Sequence, residues 1–181
     1  ALDLGAIDLV GLDPESTVTF VAAPVRAIAH EARRALAATA GAVTDVGSVK
    51  ASVVADVADH RFVGGHPMAG SEQLGVDGAS ADLFEGAVWV LTPVAGTDSD
   101  RFATVASVVR TFGAEVVALT PERHDALVAV VSHVPHLTAA ALMGIADERA
   151  EEHAALLRLA AGGFRDMTRI AAGTPTIWPD I

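Results

Sequence analysis

Cysteine is absent from this 181-residue chain. That excludes a disulfide scaffold, a thiolate-held zinc and a cysteine nucleophile, and it fits a reducing, cytoplasmic setting. Basic residues are scarce. Twelve Lys and Arg stand against 23 Asp and Glu, the formal net charge is -11, and Lys50 is the one lysine. A nucleic-acid binder needs a basic footprint, so that class is set aside. Charged residues make up only 19% and hydrophobic residues 51%, with mean hydropathy +0.43. Such a chain can bury a sizeable core, which excludes intrinsic disorder. No basic stretch precedes an apolar one at the start, so no secretory signal is expected. Neither an internal repeat nor a low-complexity linker occurs, and no G-x-G-x-x-G phosphate-binding turn is found anywhere in the chain.

What the chain does have in plenty is apolar residues, and one run needs a membrane test. Residues 126–146 contain no Asp, Glu, Lys or Arg, and their length matches a bilayer span. Ser132, His133, Pro135 and His136 sit near the middle, and no Lys/Arg cluster or aromatic belt flanks the run. The reading preferred is a helix buried on all sides by protein, with functional polar groups at its centre and no membrane partner.

The first two thirds alternate in character. Short β-branched or apolar runs at 17–22, 42–46, 61–65, 87–92 and 115–119 read as strands. Helical composition at 25–39, 49–58 and 101–112 lies between them. Short apolar strands alternating with helices predict a mostly parallel sheet covered on both faces. From residue 121 the pattern is helical only, at 121–131, 135–152 and 153–161. Thr120 and Pro121 look like a helix cap and first turn. A boundary is therefore drawn near residue 120.

In an open parallel sheet, ligands bind beyond the carboxyl ends of the strands. The first segment expected there is 45–50, DVGSVK, whose plain reading is a helix cap at Ser48 and a solvated Lys50. The second is 64–72, GGHPMAGSE. Its glycines let backbone approach a ligand, Pro67 stiffens a turn after His66, and His66 is a candidate general base. The third is 132–136, SHVPH. It has His-x-x-His spacing but no glutamate of a metallohydrolase helix, so no metal is assigned. Apart from these three, a further cluster lies at 162–170, where Arg165 and Arg169 are four apart and share a helix face suited to carboxylates.

Taken in order, these segments resemble the prephenate/arogenate dehydrogenase family. The matching pieces are DVGSVK (45–50), FVGGHPMAGSE (62–72), LFEGAVWVLTP (83–93), HDALVAVVSHVPH (124–136) and GGFRDMTRIA (162–171), then PTIWPDI. The resemblance covers essentially the whole chain. It implies a partial Rossmann-like α/β domain over 1–120 and the start of a helical substrate and dimerisation domain over 121–181. The implied reaction is NAD(P)-dependent oxidative decarboxylation of prephenate in tyrosine biosynthesis, with arogenate as the runner-up substrate. Carried over by motif, His66 would take the proton of the ring hydroxyl, and Ser48 would bond that hydroxyl or the nicotinamide. Arg169 would hold a substrate carboxylate, His136 the pyruvyl side chain, and Trp178 would lie near the pocket. Ala23, Pro24 and Asp45 would border the dinucleotide, NAD or NADP. The family begins with a strand, a glycine-rich loop and a helix that this sequence lacks, so the chain reads as such an enzyme shortened at both ends. A non-catalytic dimer unable to hold a dinucleotide is the alternative from another class. A homodimer is expected, because the apolar helices of the last third could hardly cover themselves.

Overall fold

A computed structural model of the chain describes residues 8–70, 78–148 and 153–172. It forms two compact units, Ala1–Asp125 and Ala126–Pro179. Trp178 lies outside the described residues, as does Glu72.

In the first unit, β1 (Val18–Val21), β2 (Ala42–Asp45), β3 (Phe62–Pro67), β4 (Val88–Thr92) and β5 (Glu115–Ala118) form one sheet in the order of the chain. β1, β2 and β3 run parallel, β4 is antiparallel to β3, and β5 is parallel to β4. Strand residues alternate faces and so feed two cores. Val43 and Phe62 pack with Ile28, Ala32 and Leu36 of α1 (Val25–Ala38) and with Val53 and Val57 of α2 (Ala51–Val57). Their chain neighbours Ala42 and Val63 face the other way, onto Val105 and Val109 of α3 (Ser99–Thr111), with Trp89 and Leu91 between. The mostly parallel sheet with helices on both faces is thus the expected one.

The differences from expectation are local. α3 starts two residues early because Asp98 caps it, its carboxylate accepting from the Asp100 and Arg101 amides at 2.8 and 3.2 Å. Those bonds favour the ionised form and lower the Asp98 pKa. His66 and Pro67 are not in a turn: both belong to β3, with His66 opposite Val90 and Pro67 opposite Trp89.

Beyond β5, Thr120 caps α4 (Pro121–Val128) as expected, its hydroxyl accepting from the Arg123 amide at 3.3 Å. The expected break near residue 133 is absent. A π-helical segment, Ala129–His133, joins α4 to α5 (Val134–Asp147), and the Val134 amide reaches back five residues to the Ala129 carbonyl. Pro135 supplies no amide and crowds the preceding turn, and one widened turn accommodates that without ending the helix.

The second unit contains α5, α6 (His153–Leu159), α7 (Gly162–Thr168) and a 3-10 turn, Arg169–Ala172. α5 packs against α7 and against that turn. The helix spanning Pro121–Asp147 is long and apolar enough to cross a membrane, yet only 11% of its apolar window is buried. Burial on all sides is therefore corrected: Val130, Val131, Val134, Leu137 and Ile145 are each more than half exposed. Among the described residues, no other apolar surface covers these side chains.

Candidate active site

The parallel strands bring their carboxyl ends to one edge of the sheet. Ala23 and Pro24 follow β1 there, Ser48 follows β2, and His66 lies in the last turn of side chains on β3. Beneath this edge is a buried polar cluster that short-range spacing did not announce.

Lys50 is not solvated. It has no exposed surface, and its Nζ contacts the Asp45 carboxylate, which is equally buried, and donates to the Gly65 carbonyl at 2.9 Å. The remaining lone pairs of Asp45 accept from the Gly47 amide at 2.9 Å and the Gly65 amide at 3.0 Å. Burial disfavours the ammonium and lowers the Lys50 pKa, while Asp45 chiefly opposes that shift. Asp45 is thus wholly engaged with the protein, and it sets the backbone of the turn that follows it.

This arrangement requires glycine at two positions. A Cβ on Gly65 would lie 2.6 Å from the Asp45 carbonyl oxygen and 2.7 Å from Thr44 Oγ1. One on Gly64 would lie 2.4 Å from Thr92 Oγ1. The pair of glycines therefore lets β3 lie close enough for Asp45 and Lys50 to reach its backbone.

Ser48 does not cap α2. Asp125 does so from 75 residues away: its Oδ1 accepts from the Lys50 amide and its Oδ2 from the Ala51 amide, both at 2.9 Å. The same carboxylate meets His124 Nδ1 at 2.7 Å. The other ring nitrogen, His124 Nε2, lies 2.8 Å from His66 Nδ1, with the two rings at 72°. His124 is fully buried and His66 half-buried. Desolvation lowers the His124 pKa, against the opposing pull of Asp125.

His124 and Asp125 stand in the motif that begins at residue 124, but sequence reasoning gave them no role. The legible signal was an adjacent His and Asp in the first turn of a helix leaving the sheet. Lys50 was legible too, since a carboxylate closing an otherwise apolar strand calls for a buried cation.

His136 and Arg169 belong to the second unit. His136 is half-buried on α5; Arg169 is exposed at the start of the 3-10 turn, and its amide donates to the Arg165 carbonyl, so the two arginines stack one turn apart. An apolar groove of about 760 Å³, lined by Leu142, Ile145, Leu156, Leu159 and Phe164, lies between these helices. It carries no group suited to acid–base chemistry.

A dinucleotide is compatible with part of what is present. α1 has no side-chain cap and no acidic residue in its first turn, and small Ala22 and Ala23 precede it. The positive end of a 14-residue helix without a side-chain cap suits a phosphate or a carboxamide. No glycine-rich diphosphate cradle is present in the sequence.

A mostly parallel sheet with helices on both faces, followed by a helical unit, defines a Rossmann-like α/β protein. Residues 1–118 match the prephenate dehydrogenase nucleotide-binding domain, and residues 120–181 match the prephenate dehydrogenase dimerization domain. The chain belongs to the prephenate dehydrogenase family. It is 43% identical over 145 residues to prephenate dehydrogenase of Bacillus subtilis, covering 77% of this chain and 39% of that protein. Prephenate dehydrogenase of Aquifex aeolicus, solved with hydroxyphenyl propionate and NAD+, superposes with TM-score 0.88 at 36% identity, over 99% of this chain and 66% of that one. Arogenate dehydrogenase of Synechocystis gives TM-score 0.77 at 32% identity, over 90% and 60%. The chain thus spans less than two thirds of each of these relatives.

Proposed function

We propose that this chain belongs to a nicotinamide-dependent prephenate dehydrogenase, with 1–120 bordering the dinucleotide and 121–181 in the substrate and dimerisation domain. The observation that carries this reading is His66, at the carboxyl end of β3, 2.8 Å from a buried histidine that is itself held by a carboxylate. A histidine so anchored is oriented for proton transfer, and imidazole titrates near neutrality.

A bound NAD or NADP would supply the hydride acceptor for the ring carbon that bears the hydroxyl. His66 takes the proton of that hydroxyl as the carbonyl forms, and Ser48 hydrogen-bonds the same oxygen. Loss of carbon dioxide from the quaternary ring carbon returns its electron pair to the ring, which becomes aromatic. Aromatisation supplies driving force, so the protein's task is orientation and a base at one oxygen. Arg169 pairs with a substrate carboxylate, a role suited to a planar guanidinium. His136 contacts the pyruvyl side chain. Ala23 and Pro24 border the dinucleotide. A cytoplasmic homodimer is part of this reading.

Arogenate is the second candidate substrate, favoured by the similarity to the Synechocystis enzyme. The test is reduced-nicotinamide formation by the purified protein, given prephenate or arogenate with NAD+ and NADP+ in turn. Faster turnover of prephenate is expected. Preference for arogenate would shift the assignment within the family, and absence of turnover from folded protein would leave a non-catalytic dimer.

A further inference from the structure

We propose that His124, fixed by Asp125, is a positioning residue that holds His66 with its proton on Nδ1 and its lone pair on Nε2. The catalytic consequence rests on the reading of His66 as the base; the tautomer itself does not.

Asp125 anchors the hydrogen-bonded chain. Its two oxygens accept from the backbone amides of Lys50 and Ala51, so the place of this carboxylate is set by the turn into α2. An ionised carboxylate only accepts, so the 2.7 Å contact to His124 Nδ1 requires the proton to be on that nitrogen. His124 is fully buried, and the groups facing it are Asp125 on its own helix, Asp45 at the end of β2, Lys50 from the turn after it, and His66 from β3. Desolvation keeps its pKa below the ordinary 6.5, so the ring is neutral at neutral pH. A neutral imidazole protonated on Nδ1 presents a lone pair at Nε2. That lone pair faces His66 Nδ1 at 2.8 Å. Two nitrogens at this distance share one proton, and here only His66 can supply it. With its proton on Nδ1, neutral His66 has its basic lone pair on Nε2.

Two consequences follow for the reaction. His66 meets a substrate hydroxyl already in its accepting tautomer. Once it has taken the proton, the imidazolium still donates through Nδ1 into a chain that ends on the Asp125 carboxylate. The logic is that of a catalytic histidine held by an orienting partner, with a second histidine inserted between base and carboxylate.

The direct test is nitrogen-15 NMR of imidazole-labelled, unliganded protein above the histidine titration range, with His66 assigned by the signal lost in His66→Asn. The expected result is a protonated Nδ1 and an unprotonated Nε2 on His66. A proton on Nε2 would overturn the proposal. The variants His124→Gln and His124→Leu add a kinetic test. Gln offers a carbonyl oxygen near the place of Nε2, whereas Leu fills similar space without an acceptor. His124→Leu should lose roughly 10²-fold or more in kcat with little change in KM, on the scale of a triad histidine held in the wrong tautomer. His124→Gln should recover most of that loss. Equal kcat for wild type, Gln and Leu would overturn the role. Because the NMR test needs no turnover, an inactive protein with His66 protonated on Nδ1 would refute the dehydrogenase reading alone. An active one with the opposite tautomer would refute the positioning role alone.

Discussion

Lys50 shows how much one side chain can settle at this sheet edge. A buried ammonium beside a buried carboxylate is costly to desolvate, and it persists because Asp45 and the Gly65 carbonyl satisfy it. Removing one partner leaves the other charge buried and unpaired. Lys50→Met is therefore expected to lower unfolding free energy by about 3–5 kcal/mol, measured by urea denaturation. A loss below about 1 kcal/mol, the size expected of an exposed ion pair, would mean that water reaches this pair. A single lysine after a Gly-Ser turn usually has a solvated place, and local pattern therefore assigns one to Lys50. Asp45 lies five residues away across a strand end, a separation that no helix or strand period singles out. The His66 candidate needed only a histidine beside glycines, whereas its neighbour His124 lies 58 residues on, and only the fold brings the two rings together.

At the scale of elements, hydrophobic patterning carried most of the information. All five strands fall within two residues of their expected limits, since each is a short apolar run between polar or glycine-containing turns. The antiparallel direction of β4 was not legible, because an apolar run buried on both faces reads the same in either direction. Helix starts depended on caps. Asp98 is a local cap, but the cap of α2 is Asp125, remote in sequence, so the start of α2 lay beyond local reading. The Gly64–Gly65 pair ties strand packing to the site. Gly65→Ala would push a methyl group against the Asp45 carbonyl and Thr44, and overpacking of this kind costs about 1–3 kcal/mol. A fall in urea midpoint accompanied by reduced turnover is expected. An unchanged midpoint would show that β3 can move away from β2 without penalty.

For the molecule as a whole, composition excluded disorder, and the family motifs indicated both units. Composition did not reveal that the long helix leaves its apolar face uncovered. Val131, Val134 and Leu137 are exposed over half their surface on a segment matched to a dimerization domain. A second copy is the cover that such a face calls for. Sedimentation should give twice the 18.5 kDa chain mass, and Leu137→Glu should shift it toward the monomer. A wild-type monomer at micromolar concentration would contradict the dimer.

The central claim is that His66 serves as the base of a nicotinamide-dependent oxidation of prephenate. It is tested most directly by reduced-nicotinamide formation from prephenate by wild type and His66→Asn, side by side. Turnover by the wild type and a drop of roughly 10²–10⁴-fold in the variant are predicted, the usual scale for a positioned acid–base group. Equal rates in the two proteins would contradict the role of His66. Absence of turnover from folded wild type would contradict the claim that this chain performs the reaction of the family to which it belongs.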